Sequence, residues 1–273
     1  MHLTPCKIST ITATGGVNSL INLHVFYDNV DIDVVDVKPN SVVYIECSKD
    51  KNGNTCRGKN LMQKTVSKKK KESKCFDNQV TCIVTLNGIN FVNVKVFKNG
   101  KIQMTGLKQI DQGRGVIDCI IEHLKTIYNR GQQNVVDAYN NLMNVDYKVQ
   151  LINSDFKVGM EIRRDRLNKI VQGEYNILSS FEPCIYPGVK IQYFWNKQRI
   201  GHHDGICTCD GFCDGRGNSD CKKITIAVFQ SGCIIITGAQ TLVQIEDAYN
   251  FICRVIEDHM SDIQKKNVFK ELL

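Results

Sequence analysis

The sequence has no apolar run long enough to cross a bilayer as a helix, and no early apolar stretch of the kind that opens a secretory signal. These absences lead us to expect a soluble, intracellular protein with no membrane partner. A catalytic constellation is missing too. Enzymes bring a nucleophile, a base and an orienting group together, whereas His24, His123 and His259 stand alone and the carboxylates scatter. We therefore expect no enzyme.

Cysteine is abundant instead, with 13 in 273 residues. Most sit singly in apolar runs (Cys82, Cys119, Cys253), where a small buried thiol is expected. Without a secretory signal we read them as reduced. Charge is uneven. Residues 1–132 hold 19 Lys and Arg against 11 Asp and Glu, while residues 133–273 hold 16 against 17. A one-sided positive field fits a polyanionic partner, since Lys and Arg replace counterions on phosphates. It fits a solvated basic loop equally, because KKKKESK at 68–74 supplies much of the excess.

The chain repeats itself. FKNGKIQMTGLK at 97–108 returns as FQSGCIIITGAQ at 229–240, with Phe97, Gly100, Ile102, Thr105 and Gly106 recurring as Phe229, Gly232, Ile234, Thr237 and Gly238, 132 positions on. Each copy reads as strand, tight turn, strand. Apolar residues at helical spacing follow: Val116, Ile117, Ile120, Ile121 and Leu124 in the first copy; Ala248, Tyr249, Ile252, Val255 and Ile256 in the second. Upstream, each half offers strand, helix and strand, then a long polar insertion, at 47–78 and 196–221. We expect a duplicated unit, 1–132 and 133–273, with two copies sharing one sheet.

SSFEPCIYPGVKIQYFW (179–195), DYKVQLINSDFKVGMEI (146–162) and ITIAVFQSGCIIITGAQ (224–240) resemble the TATA-binding protein family, and the insertions make the chain most like the divergent members of giant DNA viruses. The resemblance implies an α+β fold: a saddle of two pseudo-twofold repeats, its curved antiparallel sheet on the DNA minor groove and helices on the convex face. It implies a transcription initiation factor that binds and bends A·T-rich double-stranded DNA. Implied partners are a transcription factor IIB-like factor and the RNA polymerase machinery, in host cytoplasm or virion if viral and in the nucleus if cellular. Three of four wedge positions carry aromatics, Phe97, Tyr186 and Phe229, and the fourth falls on Ser41, which cannot wedge. Thr105, Thr237, Gln103 and Ile235 fall on the groove-facing surface. The family's paired asparagines align with Thr10 and Leu151, with Asn153 on the same face as Leu151. Lys101 and Lys108 match basic positions whose second-half counterparts are Cys233 and Gln240. These departures, with the near-neutral second half, favour an alternative: a scaffold with this fold that has lost DNA binding. A nuclease or glycosylase on a similar saddle would need a carboxylate or lysine on the concave face, and Asp155 is the candidate.

The insertions would enlarge the stirrup loops, which in the family meet partner factors. In the first, Lys68, Lys69, Lys70 and Lys71, with Lys64 and Lys74, are candidate phosphate contacts or a charged loop without partner. In the second, Cys207, Cys209, Cys213 and Cys221 cluster downstream of His202 and His203. This quartet is a candidate structural zinc site, although C-x-C-x3-C-x7-C is no standard finger spacing; a metal-free loop with free or bridged thiols is the other reading. The Asp-Gly pairs lack the regular ligands of an EF-hand.

Overall fold

The repeated Phe-x-x-Gly segment folds the same way twice. In a computed structural model, which describes residues 3–35, 37–48, 54–62, 78–199, 204–216 and 220–265, Gly100 and Gly232 take φ of 80° and 77°. Glycine enters that left-handed region without steric cost. Each donates its N–H to the carbonyl three residues back, Phe97 or Phe229, at 3.0 Å. A Cβ on Gly100 would run into the carbonyls of Val17 and Ser19, and one on Gly232 into those of Val158 and Met160. The helices that follow are fastened alike. Gln112 accepts the Lys108 N–H at 2.8 Å, and Gln244 accepts the Gln240 N–H at 2.7 Å.

Two units are distinguished, Thr10–Gln150 and Leu151–Leu273, the latter including Met1–Ser9. The division cuts β1 (Lys7–Val17) and β7 (Asn144–Lys157). The N-terminal unit continues with α1 (Leu23–Asn29), β2 (Ser41–Ser48), β3 (Asn54–Gly58), β4 (Gln79–Thr85), β5 (Phe91–Phe97), β6 (Lys101–Leu107) and α2 (Gln112–Asn129). Its strands pair antiparallel in the order β1–β6–β5–β4–β2–β3. The C-terminal unit continues with α3 (Arg164–Gly173), β8 (Ser179–Ser180), β9 (Val189–Asn196), β10 (Cys221–Val228), β11 (Cys233–Ala239), α4 (Leu242–Asp258) and α5 (Met260–Ile263). Its order is β7–β11–β10–β9–β8, again antiparallel.

The anticipated helical positions form the cores. Val116, Ile117, Ile120, Ile121 and Leu124 of α2 are buried, in a helix that packs on β6. Ala248, Ile252, Val255 and Ile256 of α4 are buried, in a helix on β11. Tyr249 is half-buried and meets Phe156 edge-on at 4.7 Å. Removing each large apolar side chain from water stabilises the unit by about 1.5–3 kcal/mol. Antiparallel sheets covered by helices give the α+β class expected. Among the described residues no helix is long and apolar enough to cross a membrane.

Reading 47–78 as a single polar insertion misses β3, and the strand pattern of the first half misses β4 just beyond it. β4 lies between β2 and β5 and is buried at six of its seven residues. A strand buried on both faces has no period-two alternation to read.

Candidate nucleic-acid interface

Alternation decides what each sheet shows to solvent. On β6, Ile102, Met104 and Leu107 are buried beneath α2, so Lys101, Gln103 and Thr105 face the other way. On β5, Asn93, Lys95 and Phe97 do the same between buried Val92, Val94 and Val96. Pairing sets Thr14, Gln103 and Lys95 in one row and Thr12, Thr105 and Asn93 in the next. Gln150 Nε2 donates to Thr14 Oγ1 at 2.6 Å. Thr10 is half-buried, on the Thr12 side of β1. Phe97 borders a groove of about 970 Å³ with Thr14, Lys101, Gln103 and Asp146. Lys108 lies exposed where the chain leaves β6 for α2.

The C-terminal unit presents an equivalent face. On β11, Cys233, Ile235 and Thr237 alternate with buried Ile234 and Ile236. Pairing with β7 sets Lys157 beside Cys233 and Asp155 beside Ile235. Thr237 Oγ1 donates to Asn153 Oδ1, and Leu151 is half-buried two residues earlier. Thr225 lies between Thr237 and Gln192, and Ala227 between Ile235 and Lys190.

Just past β10, Phe229 meets Tyr186 with ring centroids 5.7 Å apart and planes at 57°. Lys190 Nζ lies 4.2 Å from the Tyr186 centroid, a cation–π contact. Gly188 makes room, since a Cβ there would stand 2.9 Å from the Tyr186 ring.

The register removes Ser41 from the wedge set. In the C-terminal unit Val228 pairs with Val189, three residues after Tyr186. The corresponding pair in the N-terminal unit is Val96 with Val80, so the partner of Phe97 is Gln79 on β4. Ser41 pairs with Thr85, whose other partner is Phe91 at the far end of β5. Six residues separate the two ends, about 20 Å of strand. Ser41 is buried and donates through Oγ to the Lys38 carbonyl at 2.8 Å. The aromatic that precedes Gln79 in sequence is Phe76. It lies outside the described residues, as do Lys64, Lys68, Lys69, Lys70, Lys71 and Lys74.

Further cations and polar groups on these faces, Lys95, Asn93, Lys157, Lys190, Gln192 and Lys223, are absent from the motif-based set. Period two marks several of them: Lys95 and Asn93 precede Phe97 by two and four residues, and Lys190 and Gln192 alternate with buried Val189 and Ile191.

The sulfurs of Cys207, Cys209, Cys213 and Cys221 lie within 4.8 Å of one another, a group that could hold a metal ion. Four sulfurs about 2.3 Å from a tetrahedral zinc stand about 3.8 Å apart, so a small contraction would complete the shell. As a free thiol Cys207 resists ionisation. The Cys209 N–H lowers the Cys207 pKa, but burial and the neighbouring thiols outweigh it and push the value up to about 12. Burial likewise raises Cys221. His202 and His203 lie outside the described residues.

Residues 146–259 match the family model of transcription factor TFIID (or TATA-binding protein, TBP). Over 265 residues the chain is 32% identical to a TATA-box-binding protein-like protein of Acanthamoeba polyphaga mimivirus, covering 94% of this chain and 66% of that protein. The chain thus spans about two thirds of the length of that relative. The TBP of Methanococcus jannaschii shares the fold, with a TM-score of 0.54 at 16% identity over 93% of this chain and 99% of that one. By its family match, its viral relative and its fold, the chain is a TATA-binding-protein-like protein similar to that of a giant virus.

Proposed function

We propose that the protein is a transcription initiation factor that binds and bends A·T-rich promoter DNA through the minor groove and recruits the transcription machinery. The observation that carries this reading is the Tyr186–Phe229 pair, two aromatic rings at the edge of a strand face that α4 leaves uncovered. Phe97 holds the corresponding position on the N-terminal unit. Flat apolar side chains pushed between base steps cost about a few kcal/mol of unstacking, which the contacts of the bent duplex offset.

Between the aromatics, Thr105, Gln103 and Thr10 on one unit and Thr237, Asn153, Ile235 and Leu151 on the other face the groove floor. Small apolar and hydroxyl groups suit its A·T acceptors. Lys101 and Lys108, joined by Lys95, Lys157, Lys190 and Lys223, hold phosphates, and the Lys68–Lys71 run adds to them. A transcription factor IIB-like factor and RNA polymerase are the protein partners, and the site of action is a virus factory, a virion or a nucleus. Zinc in the cysteine quartet is the cofactor, with no part in gripping DNA.

The rival reading, a scaffold without DNA binding, draws on Asp155 and Glu46. Both carboxylates alternate with buried neighbours on the side away from the core, where they would repel phosphates.

The test is end-to-end distance in a short A·T-rich duplex labelled at both ends, across a salt series. Wild type is expected to shorten it, and Phe97→Ala/Phe229→Ala to leave it straight. A duplex that stays straight with wild type at low salt would establish the scaffold instead.

A further inference from the structure

We propose that Cys207, Cys209, Cys213 and Cys221 bind one zinc ion, and that this ion fastens the β9–β10 insertion to the sheet. The inference stands apart from DNA binding, because no residue of the quartet belongs to the aromatic or groove-facing sets.

The donor set selects the metal class. Four soft thiolates in a compact group suit tetrahedral zinc. With four protein ligands no position remains for water or substrate, so the site is structural rather than catalytic. On binding, Zn²⁺ forms four Zn–S bonds, four S–H bonds are lost, and four protons pass to solvent. Zinc uptake therefore strengthens as pH rises.

The surroundings are built for this task. Cys221 is the first residue of β10 and fully buried, so one ligand belongs to the sheet itself. The other three come from the insertion. Between residues 204 and 216 only Gly205 and Gly215 are buried, and Phe212 is 95% exposed. That stretch has no apolar cluster to hold it, and ordering it without one is opposed by chain entropy. A metal supplies what the missing core cannot.

Asn196 joins the two parts. It ends β9 opposite Cys221, and its Nδ2 donates to Cys221 Sγ at 3.7 Å and to Thr208 Oγ1 at 2.8 Å. One amide thus touches the sheet ligand and the residue between Cys207 and Cys209. Such hydrogen bonds to metal-bound sulfur offset its charge and fix its direction.

The experiment uses the full chain, purified under reducing conditions. Metal analysis is expected to find one zinc per chain, and cobalt exchange to give the charge-transfer and visible bands of a tetrahedral thiolate site. Cys209→Ser and Cys213→Ser should each lose the metal while far-UV circular dichroism stays unchanged. Cys184→Ser, at an exposed thiol outside the quartet, should keep it. Chelation should open proteolytic cleavage within residues 197–220 and nowhere else. Metal retained by both loop variants would overturn the proposal, as would a chain without metal that gives no tetrahedral cobalt spectrum. So would iron in place of zinc, or a metal-free chain with nine titratable thiols instead of 13, the signature of a quartet closed into two disulfides.

Discussion

Tyr186 and Phe229 stand 5.7 Å apart over Gly188, and the glycine sets their spacing. A methyl at Gly188 would lie 2.9 Å from the Tyr186 ring and 3.2 Å from that of Phe229. Both obstacles are side-chain rings past the end of a strand, so they can swing rather than force the backbone. Gly188→Ala is therefore expected to splay the pair while keeping thermal stability within about 1 kcal/mol, a change of a few degrees in Tm. DNA bending should weaken. Phe229→Ala removes the ring itself and should cost about 1–3 kcal/mol of DNA affinity, the usual worth of an aromatic stacked on a base. Fluorescence anisotropy and the bending assay read both. Unchanged bending in both variants would remove the pair from the interface.

The Gln79–Phe97 register yields a second test. Ser41→Ala loses the hydrogen bond to the Lys38 carbonyl, worth about 0.5–1.5 kcal/mol. It should lower the denaturation midpoint and leave DNA affinity and bend angle unchanged, whereas Phe97→Ala should do the reverse. A bending defect in Ser41→Ala that survives correction for stability would restore Ser41 to the site.

That same register marks where sequence reading succeeds and where it stops. Gly100 and Gly232 are legible because backbone carbonyls crowd both places, which only glycine tolerates. The helix faces of α2 and α4 are legible through their 3.6-residue period, and the cysteine quartet through plain proximity in the chain. β4 is hidden for the opposite reason: buried on both faces, it offers no alternation, and without it the fourth wedge position falls on Ser41 of β2. Lys95 and Lys190 were open to the period-two argument, but motif matching looks past residues between the motif positions.

The lysines on the C-terminal face make a quantitative prediction. Each cation that neutralises a phosphate contributes about 0.9 to the slope of log affinity against log salt. Lys157, Lys190 and Lys223 alternate with buried residues on β7, β9 and β10. Lys→Ala at any one of them should lower the slope by about 0.9, while Lys125, paired with Glu122 on α2, should leave it unchanged. Anisotropy titrations over a salt series decide between them. Equal slopes in all four variants would place the DNA elsewhere.

Acid should destabilise the N-terminal unit through His123. Its Nε2 is buried without a hydrogen-bond partner among the described residues. Burial, the largest cause, holds its pKa below the usual value, against the opposing pull of Asp31, the Asn40 carbonyl and Asp33. The unfolded chain therefore takes up a proton more readily than the folded one. By linkage, stability is full above the unfolded value, near 6.5, and begins to fall as pH drops through it. The fall continues until the lower folded value is passed. The Asp31–Arg130 pair adds a separate loss at lower pH: hydrogen bonding by Arg130 holds the Asp31 carboxyl below its usual value, so stability there is lost only as that carboxylate is protonated. Denaturant midpoints measured from pH 8 to pH 5 should decline in wild type and stay nearly level in His123→Leu, which removes the titrating group. An equal decline in both would mean that the buried imidazole is not the source.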